Sequence, residues 1–256
     1  MAQPPPESAL VAQGFSSAVY AWDEGRVLKL FFDWFPRERA QREFRATRAV
    51  HAIGLPVPQA EELVEVGGRS GIVSERVNGL SMLGVTQRRP WMLMKAVRQL
   101  AELHAQIHEA TAPAILPTQR QRLERGITSG VDLKPAERLE ALSQLSSLPD
   151  GNALCHGDFH PGNVIFTANG PIIIDWETAT QGDPIGDVAN TCRLIRTASL
   201  PDWSPAYMHW ILKCTRPWIH RTYLRRYFEL RAGSAADLVE WELPLRAAAK
   251  SWRVAQ

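Results

Sequence analysis

The sequence predicts an α+β protein of two lobes, one small, β-rich and N-terminal, the other larger, mainly helical and C-terminal. Three stretches carry that prediction. Residues 10–32 and 61–75 read as short strands separated by Gly-containing turns. From Pro90 onward, apolar residues at Met94, Val97, Leu100, Ala101, Leu103 and Ile107 mark one face of a long helix running to about Ala110. Inside the helical part, Val164-Ile165-Phe166 and Ile172-Ile173-Ile174 flank Asn169-Gly170, a pair that favours a tight β-hairpin. The lobes divide after residue 77, with a hinge near 74–79, so that residues 1–77 form the first and 78–256 the second.

In chain order, Leu10-Val11 leads to a turn at Gly14-Phe15-Ser16-Ser17, a strand Ala18 to Trp22, a turn at 23–26 and a strand Val27 to Phe32. Lys29 interrupts that last apolar run. A helix follows from about Pro36, which suits a first helical position, to about Ile53, with Gly54 as its stop. Ala40, Phe44, Thr47 and Val50 form its inner stripe; Glu43 falls inside the stripe and Glu38 on the far side with the arginines. An acid on an apolar face is costly unless paired, so Glu43 either meets a cation or snorkels out to water. Strands 61–66 and 71–75 turn at Gly67-Gly68. Residues 111–150 give a loop and one or two amphipathic helices, including Pro135 to Leu145. Asp183 caps and Pro184 opens a helix through about Ala198. The remainder, with five of the nine tryptophans (Trp203, Trp210, Trp218, Trp241, Trp252), reads as more helix.

Composition narrows the function. A chain of 256 residues with 45% hydrophobic content can bury a real core, and a formal charge of +2 is too small to imply nucleic-acid binding. No apolar run reaches bilayer length, and Met1 to Glu7 lacks the charged and apolar regions of a signal peptide, so the expected place is the cytoplasm, with no membrane and no protein partner evident. Three widely spaced cysteines, Cys155, Cys192 and Cys214, fit a reducing compartment.

The chemistry concentrates in Cys155-His156-Gly157-Asp158-Phe159-His160-Pro161-Gly162-Asn163 and the hairpin that follows. With a three-residue loop Ala168-Asn169-Gly170 and Gly170 left-handed, Thr167 pairs with Pro171, Phe166 with Ile172, Ile165 with Ile173 and Val164 with Ile174. Asn163 then faces Asp175, and directly opposed residues have Cβ atoms about 5 Å apart, close enough to share one ion. Few, hard oxygen ligands suit Mg²⁺. Asp158 lies on a loop that Gly157, Pro161 and Gly162 force out of regular structure. An Asp, four residues, an Asn, a hairpin and a second Asp make the arrangement of a kinase catalytic loop and metal-binding segment.

With His-Gly-Asp-x-His-Pro-Gly-Asn at 156–163, the chain resembles the aminoglycoside phosphotransferase and choline kinase family, small-molecule relatives of protein kinases; the resemblance covers residues 10 to 195 well and the rest only in general terms. It implies a protein-kinase-like two-lobed fold and transfer of the γ-phosphate of ATP to a hydroxyl of a small molecule. By the same resemblance Asp158 is the catalytic base, Asn163 and Asp175 hold Mg²⁺, Lys29 holds the α and β phosphates, and Glu43 fixes Lys29. Ser16 and Ser17 lie on the phosphate-covering turn, although only Gly14 of three glycines is present. Backbone groups near Glu75 and Val77 meet the adenine, Glu177 is a candidate to assist the metal, and Asp187 props the catalytic loop. Lys29 also reads as an edge-strand lysine facing water. Only seven residues separate Asp175 from Asp183, which leaves no platform for a peptide substrate. From Asn190 onward eleven Lys/Arg stand against five Asp/Glu, which argues against a polycationic aminoglycoside as acceptor.

Two rival readings remain. His156, Asp158 and His160 form a His-x-Asp-x-His cluster that would suit a zinc metallohydrolase. The degenerate glycine turn would suit a nucleotide-binding pseudokinase. His104 and His108 also have a zinc-binding spacing but no third ligand nearby in sequence, and read as a core histidine and a surface one.

Overall fold

A computed structural model describes residues 5–197 and 206–254. Its contacts divide the chain into two compact units, residues 1–81 with 163–178, and residues 82–162 with 179–256. The segment 163–178, which includes the hairpin, groups with residues 1–81.

The first unit holds a five-stranded antiparallel sheet, formed by β1 (Leu10–Gln13), β2 (Ser17–Asp23), β3 (Arg26–Phe31), β4 (Ala60–Val66) and β5 (Arg69–Glu75) in the order β1-β2-β3-β5-β4. α1 (Arg37–Ala52) follows β3 and buries Ala40, Glu43, Thr47 and Val50 of the expected stripe, with Ala46 added, while Phe44 is only partly buried. Phe31, Phe35, Ala40, Ala60 and Ile72 form one core cluster, and Leu28, Leu30, Val66 and Val73 another. β6 (Leu80–Ser81) pairs with the hairpin strand Val164–Thr167.

The second unit is mainly helical: α2 (Met82–Arg88), α3 (Leu93–Ile107), α4 (Gln119–Ser129) and α5 (Pro135–Ser147). A short strand β7 (Ala153–Cys155) then precedes the loop carrying Asp158. The hairpin, β8 (Val164–Thr167) and β9 (Gly170–Ile173), belongs to the first unit, and back in the second unit β10 (Thr180–Gly182) pairs antiparallel with β7. α6 (Pro184–Thr197), α7 (Ala206–Leu230) and α8 (Val239–Val254) complete the unit. The Ile185 N–H donates to Asp183 Oδ1 at 2.8 Å, the cap the sequence placed there. No described helix is long and apolar enough to cross a membrane. Trp210 and Trp218 are exposed and Trp241 is buried; Trp203 and the Trp252 side chain lie outside the described residues.

The hairpin register differs from expectation by one residue. Val164 pairs with Ile173, Ile165 with Ile172, Phe166 with Pro171 and Thr167 with Gly170. The Thr167 hydroxyl is the reason: it accepts from the Asn169 N–H at 3.1 Å and donates to the Gly170 carbonyl at 2.7 Å, closing the bend after two residues. Gly170 does take a positive φ, 117°. Asn163 therefore meets Ile174, whose N–H donates to the Asn163 carbonyl at 3.0 Å, and not Asp175.

Candidate active site

Asp175 reaches the site by a different route from the face-to-face pairing with Asn163. A one-residue slip would put it on the opposite face of a continued strand. Instead the strand ends, and Asp175 is the one non-glycine residue with positive φ among the described residues, at 68°. Such strain costs on the order of 1–3 kcal/mol and concentrates at functional sites. The bend leaves Asp175 Oδ1 3.3 Å from Lys29 Nζ, while Glu43 Oε1 lies 2.5 Å from the same nitrogen. Lys29 is thus no edge lysine facing water, and Glu43, 5% exposed, does not snorkel out.

Electrostatics follow from two acids sharing one ammonium. Burial pushes the Glu43 carboxyl up to about 7, Lys29 opposes this, and Asp175 reinforces it. Burial pushes the Lys29 ammonium down, but Asp175 and Glu43 outweigh it and hold it above its ordinary value. The three groups carry a surplus negative charge when ionised, which a hard cation beside Asp175 would relieve. The Asp175 carboxylate is a hard oxygen donor of the kind Mg²⁺ takes.

Glu177 does something other than assist a metal. Its carboxylate, 7% exposed, accepts from Arg39 Nε and Nη2 at 3.1 and 3.0 Å and from Arg42 Nη1 at 3.1 Å. Two guanidiniums from α1 occupy both oxygens, in the bidentate geometry that suits carboxylates. α1 therefore grips the Asp175 segment at one end through Glu43 and Lys29, and two residues on through Glu177.

In the second unit, Asp158 is half-buried, its Oδ2 3.7 Å from His160 Nε2. Burial pushes its carboxyl up; His160, His156 and Arg122 outweigh that and hold it below the ordinary value, so it is ionised at neutral pH. The His160 ring accepts from the Gly162 N–H at 3.0 Å, and the His156 ring from the Asp158 N–H at 3.3 Å. These bonds spend ring nitrogens inside the loop. Among the described residues, three potential metal ligands gather only at His104, His108 and Asp187, so the His156/Asp158/His160 zinc cluster does not form.

The loop is anchored from below by Asp187. Gly157, with φ 78°, turns the chain so that its own N–H donates to Asp187 Oδ1 at 2.9 Å while the His156 N–H donates to Oδ2 at 2.6 Å. His104 and His108 donate from Nε2 to the same Oδ2 at 3.0 and 3.3 Å, and each receives a tyrosine hydroxyl at Nδ1, Tyr223 at 2.5 Å and Tyr227 at 2.7 Å. Both histidines are buried, so the expectation of a surface His108 fails. Every polar atom of this group has a hydrogen-bond partner without a metal. Burial pushes the Asp187 carboxyl up, and the bonds from His104 and His108 hold it well below the ordinary range.

A pH effect follows. Burial, with His108 beside it and against the pull of Asp187, pushes His104 down to about 4, so it is neutral in the fold. An unfolded histidine titrates near 6.5, so the stability owed to neutral His104 is present above that pH and is lost as pH falls towards 4. His104→Gln keeps a donor for Asp187 without a titrating proton. The wild-type margin over this variant is expected to shrink by about 3 kcal/mol from pH 6.5 to 4, read from urea unfolding. Glu43, raised to about 7, acts with the opposite sign but cancels between the two chains. A margin independent of pH would mean that His104 is not held neutral.

The family model described as the phosphotransferase enzyme family matches residues 8–250. The chain belongs to this family. Its fold is like that of an aminoglycoside-3′-phosphotransferase of type VIII, with TM-score 0.63 and 21% identity over 93% of this chain and 90% of that one. It is also like a thermostable mutant of aminoglycoside phosphotransferase APH(4)-Ia in ternary complex with AMP-PNP and hygromycin B, with TM-score 0.54 and 19% identity over 93% and 92% of the two chains. By sequence, acyl-CoA dehydrogenase family member 10 of Mus musculus is 27% identical over 174 residues, which cover 59% of this chain and 16% of that protein. The match thus spans under one fifth of that relative's length. The β-sheet N-terminal region and helical C-terminal region of this phosphotransferase family member are those of the protein-kinase-like class.

Other predicted residues sit as follows in the phosphotransferase chain. Ser16 is on the turn and its carbonyl accepts from the Phe32 N–H at 3.0 Å; Ser17 is already in β2, buried, with its carbonyl bonded to the Gly14 N–H at 2.9 Å. The Glu75 N–H donates to the Gln59 carbonyl at 3.0 Å, whereas the Val77 N–H makes no hydrogen bond among the described residues. Arg39, Arg42, Tyr223 and Tyr227 were not singled out in the sequence. Tyr223/Tyr227 and His104/His108 share a four-residue spacing on two helices, which is the signal that would have found them.

Proposed function

We propose that this protein transfers the γ-phosphate of ATP to a hydroxyl of a small molecule. The observation that carries the reading is Lys29 held between Glu43 and Asp175, the last with a positive φ of 68°. In this reading Lys29 meets the α and β phosphates under the turn at Ser16 and Ser17, and Glu43 keeps the ammonium aimed. The backbone at Glu75 and Val77 meets the adenine. Asp175 and Asn163 would hold Mg²⁺, which supplies charge neutralisation at the transferring phosphate. Asp158, ionised, orients the acceptor hydroxyl and takes its proton. Phosphoryl transfer needs positioning and charge more than covalent help, so this short set of groups is sufficient. Support for a small acceptor comes from the short span between Asp175 and Asp183, and from the hygromycin B bound by a protein of like fold.

The test is ADP release with ATP, Mg²⁺ and a panel of hydroxyl-bearing small molecules. Turnover is expected with at least one acceptor and is expected to vanish in Asp175→Ala. ATP binding without turnover across the panel would point to the regulatory pseudokinase, and turnover that survives Asp175→Ala would remove Asp175 from the site.

A further inference from the structure

The cavity between α5, α6 and α8 lies wholly within the second unit and measures about 690 Å³. That is the size of a small-molecule site, typically about 300–1,000 Å³. Its charged lining is unequal: Arg193 and Arg196 from α6 and Arg246 and Lys250 from α8 stand against Glu140 and Glu242. Arg196 is tied to Glu242 at 2.7 Å, and Lys250 is tied to Glu137 at 3.1 Å. Arg246 is exposed and makes no hydrogen bond or ion pair among the described residues. The wall of the cavity is joined to the loop that carries Asp158. Arg193 Nε donates to Asn190 Oδ1 at 3.0 Å, and Asn190 Nδ2 donates to the Gly157 carbonyl at 2.6 Å.

We propose that this cavity receives the acceptor through an anionic group, a carboxylate or a phosphate, carried on the same molecule as the reacting hydroxyl. The proposal rests on the phosphotransferase reading and adds to it the charge class of the substrate. A guanidinium presents a planar fork of donors that matches either anion, and among the described residues nothing engages the donors of Arg246. A polycation entering the same space would meet two excess positive charges, a repulsive element that selects against it. Arg193 supplies the link to catalysis, since it fixes Asn190, and Asn190 holds the carbonyl of the residue before Asp158.

The experiment uses four three-carbon compounds that differ in charge: glycerol 2-phosphate, glycerate, glycerol and serinol (2-amino-1,3-propanediol). Each is titrated against the full chain saturated with AMP-PNP and Mg²⁺, and the thermal midpoint is followed. The two anions are expected to raise it and the neutral and cationic members to leave it unchanged; the ratio of the two anions distinguishes phosphate from carboxylate. Arg246→Glu and Arg246→Gln are expected to weaken the anions roughly tenfold to hundredfold, the worth of one charge-assisted hydrogen bond. Preference for serinol or glycerol, no response to any of the four, or anion binding indifferent to both variants would each overturn the proposal. The shift produced by AMP-PNP and Mg²⁺ is read first and separately. Its absence in the wild type would sink the phosphotransferase reading itself, a failure distinct from an error in the charge of the acceptor.

Discussion

Asp158→Asn is expected to lower kcat by about 10²- to 10⁴-fold, the usual contribution of a positioned base, while the fold and the nucleotide-induced thermal shift remain. The substitution is nearly isosteric, and the side chain is 39% exposed, so no buried charge is stranded. The amide can still accept a hydrogen bond from the acceptor hydroxyl and so preserves part of the positioning, but it cannot take the proton. His160 and Arg122 hold the wild-type carboxyl below its ordinary value, so it is already ionised when substrate arrives, and kcat should not fall until the pH drops below the ordinary carboxylate range. The loss should appear in kcat with KM little changed, because a base acts in the transition state more than in ground-state binding. A fall of less than about tenfold would remove Asp158 from the role of base.

The candidate stretch stood out in the sequence because its residues are local. Asp158, Asn163 and Asp175 lie within eighteen consecutive positions, and the Asn-Gly bend announces the hairpin between them. Lys29 and Glu43 were legible for a different reason: each is a charge inside an apolar pattern, and such a charge needs a partner. The hairpin register was missed because a threonine hydroxyl, not the glycine alone, decided where the bend closed. The left-handed turn at Asp175 was then out of reach, since no residue type at 175 signals it as a glycine would. Glu177 was read for its position next to Asp175, yet its partners Arg39 and Arg42 sit about 135 residues earlier, and only the packing of α1 on this segment puts them together. The same holds for Asp187. Its support of the loop was expected from the resemblance, whereas the two histidines come from α3 and its C-cap and the two tyrosines from α7, and they meet Asp187 of α6 only in the folded chain.

That convergence makes Asp187→Asn the most damaging conservative substitution. One buried carboxylate accepts two backbone N–H groups and two imidazole N–H groups, all buried but that of Gly157, which is partly so. Asparagine has one accepting oxygen and an NH₂, so turned one way it sets its NH₂ against the Gly157 N–H and turned the other way against the three donors that share Oδ2, and in either orientation the charge is lost. A buried hydrogen bond to a charged group is worth about 1.5–3 kcal/mol, and breaking a buried charged network typically costs about 3–5 kcal/mol. We expect a loss of about 3–5 kcal/mol in urea unfolding, against about 1 kcal/mol for Tyr227→Phe, which deletes a single hydroxyl from the edge of the group. Activity should fall further than stability alone explains, because the freed N–H groups belong to His156 and Gly157, immediately before Asp158, the proposed base. Chelation by EDTA should leave the wild-type midpoint unchanged, since hydrogen bonds and not a metal satisfy the cluster. If Asp187→Asn unfolds within about 1 kcal/mol of wild type, the loop is held by its remaining bonds, Asn190 to Gly157 and Thr191 to the Phe159 carbonyl, and the buried carboxylate is not its anchor.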